Sequence, residues 1–221
     1  DCVQRLNGMF AFAIWDARKE ELFLARDHFG IKPLYYYHQD GVLAFASEVK
    51  ALLQLPYVAR EVDPEALSQY LTFLWVPDPK TMFRDISKLP AGHYALYRRR
   101  AFKITQYWDL TFPSEDASYT YGEAELVQEV RERFQRSVQA QMMSDVPIGA
   151  FLSSGMDSGA IAAMMSGASS GPLRTYTIAF PPDYTKGEVT LDDPRIARRV
   201  AEKFGHDHTE IVVRPDVAEL L

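Results

Sequence analysis

DVPIGAFLSSGMDSGAIAAMM, residues 145–165, is the stretch from which the rest of this chain is read. Val146 to Leu152 is short and mostly apolar, as a buried strand is. Ser153, Ser154, Gly155, Met156, Asp157 and Ser158 predict a small polar turn. The Ala- and Met-rich run from Gly159 to Met165 predicts a helix despite its glycine. A strand, a tight turn of small residues and a helix in series aim free backbone N–H groups at an anion. The serines add hydroxyl donors and Asp157 adds a carboxylate, so the pattern points to a phosphate or pyrophosphate site. Small residues also serve such turns where nothing binds, because they solve a packing problem.

The flanking chain sets this turn in an α/β frame. Leu126, Val130, Phe134, Val138 and Met142 recur every four residues and predict a helix over 123–143 with one apolar stripe, packed on the strand that begins at Val146. Strands are predicted over 173–180 and 208–213. Between them lie an irregular loop, 181–192, and an amphipathic helix, 194–204, closed by Gly205. Strand, helix, strand, helix, strand implies a parallel sheet covered by helices. Ligands of such sheets sit beyond the carboxyl ends of the strands, which is where the 153–158 turn falls.

The first half reads differently. Closely spaced strands are predicted over 9–15, 22–26, 34–37 and 42–46, with a tight turn at Gln39, Asp40 and Gly41. The second of these strands is apolar on both faces, which predicts a sheet covered on both sides, as in a layered sandwich. A short helix over 47–53 with Ser47 as its cap is expected. A second opens with Asp63 as cap and Pro64 in its first turn, and has Leu67, Tyr70, Leu71 and Leu74 at helical spacing. Extended segments follow over 89–97 and 104–108, and Arg98 to Arg100 reads as a solvated strand end. Residues 110–121 have no sustained period and are expected to form an interdomain linker.

Composition excludes several classes. The chain has 221 residues, 47% apolar and 24% charged, and a net charge of −6, which argues against wholesale nucleic-acid binding. One cysteine, Cys2, leaves no internal disulfide and no cysteine metal cluster. No apolar run approaches the ~18 residues of a membrane span and no signal-peptide pattern opens the chain, so the cytoplasm is the expected compartment. The opening at Asp1 and the closing DVAELL read as cuts through a longer protein.

The turn lacks the spacing and lysine of a Walker A loop and is not GxGxxG. Asp157 inside a phosphate loop would repel its ligand unless Mg²⁺ bridged carboxylate and phosphate, which favours the pyrophosphate end of Mg-ATP. The alternative is that Asp157 only caps the following helix.

Two blocks carry a family resemblance. RLNGMFAFAIWDARKEELFLARDHFGIKPLYYY at 5–37, continued by FASEVKALL at 45–53, is similar to the second half of a class II glutamine amidotransferase domain. SDVPIGAFLSSGMDSGAIAAMM at 144–165 resembles the pyrophosphate loop, usually SGGxDS, of the asparagine synthetase family. TYTIAF, DDPRIARRVAEKFG and HTEIVV extend the likeness over nearly the whole chain.

The resemblance implies the C-terminal half of an Ntn-type αββα glutaminase domain at 1–109, a linker at 110–121, and at 122–221 the start of a parallel-sheet PP-loop synthetase domain, α/β in class and related to the adenine-nucleotide alpha hydrolases. It implies ATP and Mg²⁺ as cofactors, glutamine and aspartate as substrates of the full-length enzyme, no nucleic-acid or membrane partner, and a homodimer. The chemistry implied is adenylation of a carboxylate with pyrophosphate release, then amidation by ammonia from glutamine.

Carried over by position, Ser153, Gly155, Asp157 and Ser158 match the loop. Ser154 stands where the family has Gly, and would be strained if that position requires positive φ. Gly159 stands where Ser is common. Leu152 and Ile178 match the adenosine pocket, and Asp157 the metal-handling carboxylate. Asp192 and Asp193 match an acidic pair near the active site, with helix capping as their alternative role.

The glutaminase nucleophile of the family is an N-terminal cysteine. Cys2 is not that residue, because it aligns inside the domain, so the 221-residue stretch alone is expected to be inactive. Arg26 and Asp27 are read as a structural pair near the sheet edge. His28, Lys32, Tyr35 to Tyr37 and His93 are read as packing or as shaping the interdomain surface, and His206 and His208 as satisfied by hydrogen bonds. The alternatives are a relative that activates another carboxylate, such as a β-lactam-forming or peptide-modifying cyclase, and a degenerate homologue with a structural role.

Overall fold

A computed structural model describes residues 2–114, 122–181 and 193–214. The chain divides into two compact units, Asp1–Ala117 and Ser118–Leu221. No helix of the described residues is long and apolar enough to cross a membrane.

In the first unit, β1 (Ala11–Asp16), β2 (Glu21–Arg26), β3 (Tyr35–Gln39) and β4 (Val42–Ala46) follow one another. Helices α1 (Val49–Leu52) and α2 (Pro64–Phe73) come next, then β5 (Ile86–Lys88), β6 (His93–Arg98) and β7 (Ala101–Gln106). Two antiparallel sheets result, with strand orders β1-β2-β6-β7 and β4-β3-β5.

The period-two geometry of β3 sorts its tyrosines. Tyr36 points into a cluster shared by both sheets, with Leu24, Leu34, Leu89 and Ala95 buried. Tyr35 and Tyr37 point the other way, into a second cluster around Leu52, Val58 and Ile86, which α1 helps to cover. The second sheet is therefore covered on both faces. The first is not, among the described residues. Its outer face carries a row of tilted and stacked rings, Phe10, Phe12, Phe23 and Tyr94, and leaves Ile14 52% exposed.

Other expectations shift. Glu48, not Ser47, precedes α1, and no side chain caps it. Asp63 does cap α2, accepting from the N–H groups of Glu65 and Ala66. The expected stripe on α2 stays in solvent, with Leu71 72% and Leu74 80% exposed, and only Ala66 is buried. Arg99 and Arg100 form the two-residue turn of the β6–β7 hairpin, both at positive φ, rather than a strand end. The β3–β4 hairpin turns at Asp40-Gly41, the residue pair that a turn with two positive φ values favours.

Arg26 and Asp27 are consecutive, buried, and not paired with each other. The guanidinium of Arg26 donates to the carbonyls of Gly30, Lys32 and Leu89 and pairs with Asp78 at 3.1 Å. The carboxylate of Asp27 accepts from four backbone N–H groups, those of Phe10, Phe29, Ile31 and Lys32. Burial alone would raise this carboxyl. The N–H groups outweigh burial and hold it below the usual carboxylate range.

The second unit begins with α3 (Glu123–Gln141), whose first turn is closed by Glu125 accepting from the Gly122 N–H at 3.0 Å. After it come β8 (Gly149–Phe151), α4 (Met156–Ala168), β9 (Arg174–Ala179), α5 (Asp193–Phe204) and β10 (Asp207–Val212). The strands are parallel in the order β10-β9-β8. Strand β8 is shorter than the apolar run predicts, and Val146 lies 69% exposed before it.

The three helices share one core with the sheet, in which Val138, Leu152, Ala162, Met165, Leu173, Ala197 and Ala201 are buried. Only the C-terminal half of the α3 stripe reaches that core. It meets α4 as well as the sheet residues, while Val130 remains 65% exposed. Gly205 ends α5 at φ +67°, with the His206 N–H on the Ala201 carbonyl and its own N–H on that of Glu202. This is the two-bond C-cap that glycine permits.

Candidate functional site

The polar turn lies at the carboxyl end of β8. Strand pairing carries past β8, where the Leu152 N–H donates to Tyr176 at 2.8 Å. The buried Thr177 hydroxyl donates to the Leu152 carbonyl. Between that fixed point and α4, small residues fold tightly on themselves. The Ser153 N–H donates to Ser158 Oγ at 3.2 Å, the two serine hydroxyls lie 2.9 Å apart, and the Gly155 N–H donates to Ser153 Oγ at 3.1 Å. Ser158 donates in turn to the Gly155 carbonyl, so Ser153 is left as the donor between the hydroxyls. A Cβ at position 155 would come 3.2 Å from Ser153 Oγ, so Gly155 keeps this hydroxyl pair uncrowded.

Ser154 does not adopt a positive φ, and a serine there is unstrained. Its N–H donates to Asp193 Oδ1 at 2.8 Å, a contact across 39 positions of sequence. Asp193 is the first residue of α5, where a carboxylate is favoured by the helix dipole. Four residues on, Ala197 is fully buried in the core that also holds Leu152 and Ala162, so the helix start is tied to the loop by packing. Asp157 lies exposed in the first turn of α4. Asp192 lies outside the described residues.

Ser153, Ser154, Gly155, Asp157, Ser158 and Asp193 thus come together at one sheet edge. Leu152 adjoins them through its backbone alone, and Ile178 pairs with Ile211 of β10. The Leu152 side chain is buried toward the helices, and Ile178 lies 49% exposed on the strand that carries Thr177 inward. The loop offers backbone N–H groups, two hydroxyls and two carboxylates, a donor set that suits a polyphosphate accompanied by a hard divalent cation. No cluster of three or more His, Cys, Asp or Glu that could hold a metal alone occurs among the described residues. A cation here would need phosphate oxygens as ligands too, as Mg²⁺ commonly does.

The singled-out histidines pack or bond internally. His28 lies against Trp108 with ring centroids 4.8 Å apart, and His93 Nδ1 meets the Ala91 carbonyl at 2.7 Å. His206 Nε2 lies 2.6 Å from Ser166 Oγ, and His208 Nδ1 lies 2.9 Å from Thr175 Oγ1. Burial, and then the neighbouring His208, push the His206 imidazole below its usual value. Cys2 is exposed beside the first 3-10 turn.

Thr177 escaped the sequence reading. Its polar side chain on an apolar strand was the available signal, though not the identity of its acceptor.

Comparison with known proteins assigns each part of the chain to a domain family. Residues 1–108 match the model of a glutamine amidotransferase domain, and residues 129–221 match the asparagine synthase model. An antiparallel two-sheet glutaminase unit followed by a parallel PP-loop synthetase unit is the architecture so defined. The glutamine-hydrolysing asparagine synthetase 3 of Bacillus subtilis is 34% identical, over 96% of this chain and 36% of its own length. Asparagine synthetase 1 of the same organism is 35% identical, over 98% and 32%. Amidase chry2 of Gibberella zeae is 34% identical, over 93% and 31%. The chain belongs to the glutamine-hydrolysing asparagine synthetase family, and it spans about a third of the length of these curated relatives.

Proposed function

We propose that the protein to which this chain belongs is an ATP-dependent amide ligase that activates aspartate by adenylation, releases pyrophosphate and forms the amide with ammonia from glutamine. Residues 1–109 form part of its amidotransferase domain, 110–121 a linker, and 122–221 the start of its synthetase domain. The observation that carries this reading is the Ser153–Ser158 loop at the carboxyl end of a parallel strand, where the Ser153, Ser154 and Gly155 N–H groups each donate to a side-chain oxygen that a phosphate oxygen would replace.

In this reading, Ser153, Ser154, Gly155 and Ser158 hold the β and γ phosphates, and their backbone donors favour the pyrophosphate as it leaves. Asp157 takes Mg²⁺ together with phosphate oxygens. The backbone at Leu152 and Ile178 borders the adenosine. Asp192 and Asp193 form an acidic edge of the site. Bound Mg-ATP supplies the adenylyl group that activates a carboxylate.

ATP–pyrophosphate exchange on the full-length protein, with a panel of amino acids, tests the reading. Exchange dependent on aspartate is expected. Asp157→Asn abolishes exchange while leaving the fold intact, and exchange near the unsubstituted rate would show that its metal role is misassigned. A second reading, activation of another carboxylate, is favoured by one observation. Amidase chry2 is as similar to this chain as the asparagine synthetases are. Exchange with a different acid and none with aspartate selects it.

A further inference from the structure

Resting on that reading of the loop, we propose that Asp193 makes the site select magnesium-loaded polyphosphate over the bare anion. Its carboxylate already holds the Ser154 N–H at 2.8 Å. A charged acceptor makes this hydrogen bond stronger than a neutral one would. Any phosphate oxygen that takes the same donor must first displace a negative oxygen, and then lies within a few ångströms of it.

The competition is built in, because Asp193 opens a helix whose Ala197 and Ala201 are buried beside Leu152 and Ala162. Asp157 adds a second negative charge at the start of α4. From Ser137 to Leu173, around the loop itself, the sequence has no Lys, Arg or His; the cations nearest Asp193 in sequence are Arg195, Arg198 and Arg199 of its own helix, of which Arg198 pairs with Glu210. A bare polyphosphate therefore meets two like charges. A phosphate that arrives with a divalent cation brings its own compensation, and the displaced carboxylate has a cation to face.

The distinguishing variant is Asp193→Asn, which keeps an oxygen for the Ser154 N–H and removes the charge. Binding of inorganic pyrophosphate to the full-length protein is measured by titration calorimetry, once with EDTA and once with excess Mg²⁺. Affinity for the bare anion is expected to rise about tenfold, the size of one like charge a few ångströms away at a partly exposed site. Affinity with Mg²⁺ changes less, so the ratio between the two conditions falls. Asp193→Ala gives the same direction, and circular dichroism confirms that both variants fold.

An unchanged ratio would leave Asp193 as a helix-end residue only and overturn the proposal. Weaker binding in both conditions would overturn it too, because the carboxylate would then assist the anion. Should the unsubstituted protein bind pyrophosphate in neither condition, the variant decides. Binding gained by Asp193→Asn for the bare anion more than with Mg²⁺ supports the proposal, and any other result refutes it. The ligase reading fails separately, when pyrophosphate binds but no amino acid supports exchange.

Discussion

Replacing Asp27 by Asn removes one charge and half of an acceptor set at the centre of the first unit. Oδ1 accepts from Phe29 and Ile31 at 3.2 and 2.9 Å, and Oδ2 from Phe10 and Lys32 at 3.3 and 2.9 Å. An amide keeps one oxygen and turns its NH₂ toward the other two N–H groups. Two donors then lose their acceptor at a residue that is 1% exposed. At ~1–3 kcal/mol for each unsatisfied group, less what local loosening recovers, the loss is about 2–4 kcal/mol. Asp27→Ala costs ~1–2 kcal/mol more, because all four donors lose their acceptor.

Urea unfolding followed by tryptophan fluorescence measures this directly. Trp15, Trp75 and Trp108 are the three tryptophans of the chain, and all lie in the first unit. Hydrogen exchange in the second unit serves as the control and stays unchanged. The pH dependence adds a second constraint. The folded carboxyl is held below its ordinary 3.8, so its contribution is present above that value and is lost as pH falls through the folded one. The gap between the unsubstituted chain and Asp27→Asn therefore closes only in acid. A neutral-pH difference under ~0.5 kcal/mol would refute the role assigned to Asp27, since ordinary surface substitutions reach that size. So would a gap that does not change with pH.

Other outcomes follow from local geometry. Gly159 lies inside α4 with nothing within 4 Å of an added Cβ, so Gly159→Ala stabilises the second unit by ~0.5–1 kcal/mol, read as slower hydrogen exchange of α4. Arg99 takes φ +51° in a two-residue hairpin turn, so Arg99→Asn raises the urea midpoint of the first unit by ~0.5–1 kcal/mol equivalent. His206 is held neutral by burial and by His208, so the unfolded chain takes up its proton first as pH falls below 6.5. Stability of the second unit is then full above that pH and declines below it. Exchange protection of β10 measured against pH shows the decline, and His206→Gln flattens it.

How far the sequence could be read depended on the range of the interactions. Asp40-Gly41, Asp63-Pro64 and Gly205 were legible because a turn, an N-cap and a C-cap are decided within a few residues. Strand β5 was missed because it has three residues and owes its existence to pairing with β3, about fifty positions earlier. The α2 stripe has helical spacing, yet spacing alone does not supply a partner, and its leucines stay exposed.

At the site, the order of serines and glycine located the loop. Only the fold could reveal that Asp193 reaches Ser154, or that Ser154 has an unstrained φ. Adjacent charges at Arg26 and Asp27 suggested a pair. Instead both serve the same turn, Arg26 donating to the carbonyls of Gly30 and Lys32 and Asp27 accepting from the N–H groups of Phe29, Ile31 and Lys32.

The Asp193–Ser154 contact also fixes an order of events during synthesis. The loop leaves the ribosome first, and the helix that completes its hydrogen bonding ends at Phe204, some fifty residues later. At translation rates of ~5–20 residues per second, that is an interval of about 3–10 seconds. Throughout it, β8 and the turn exist as nascent chain with the Ser154 N–H still open to water. The site is therefore a late-maturing part of its unit, its internal serine hydrogen bonds completed at Ser154 only by the docking of α5.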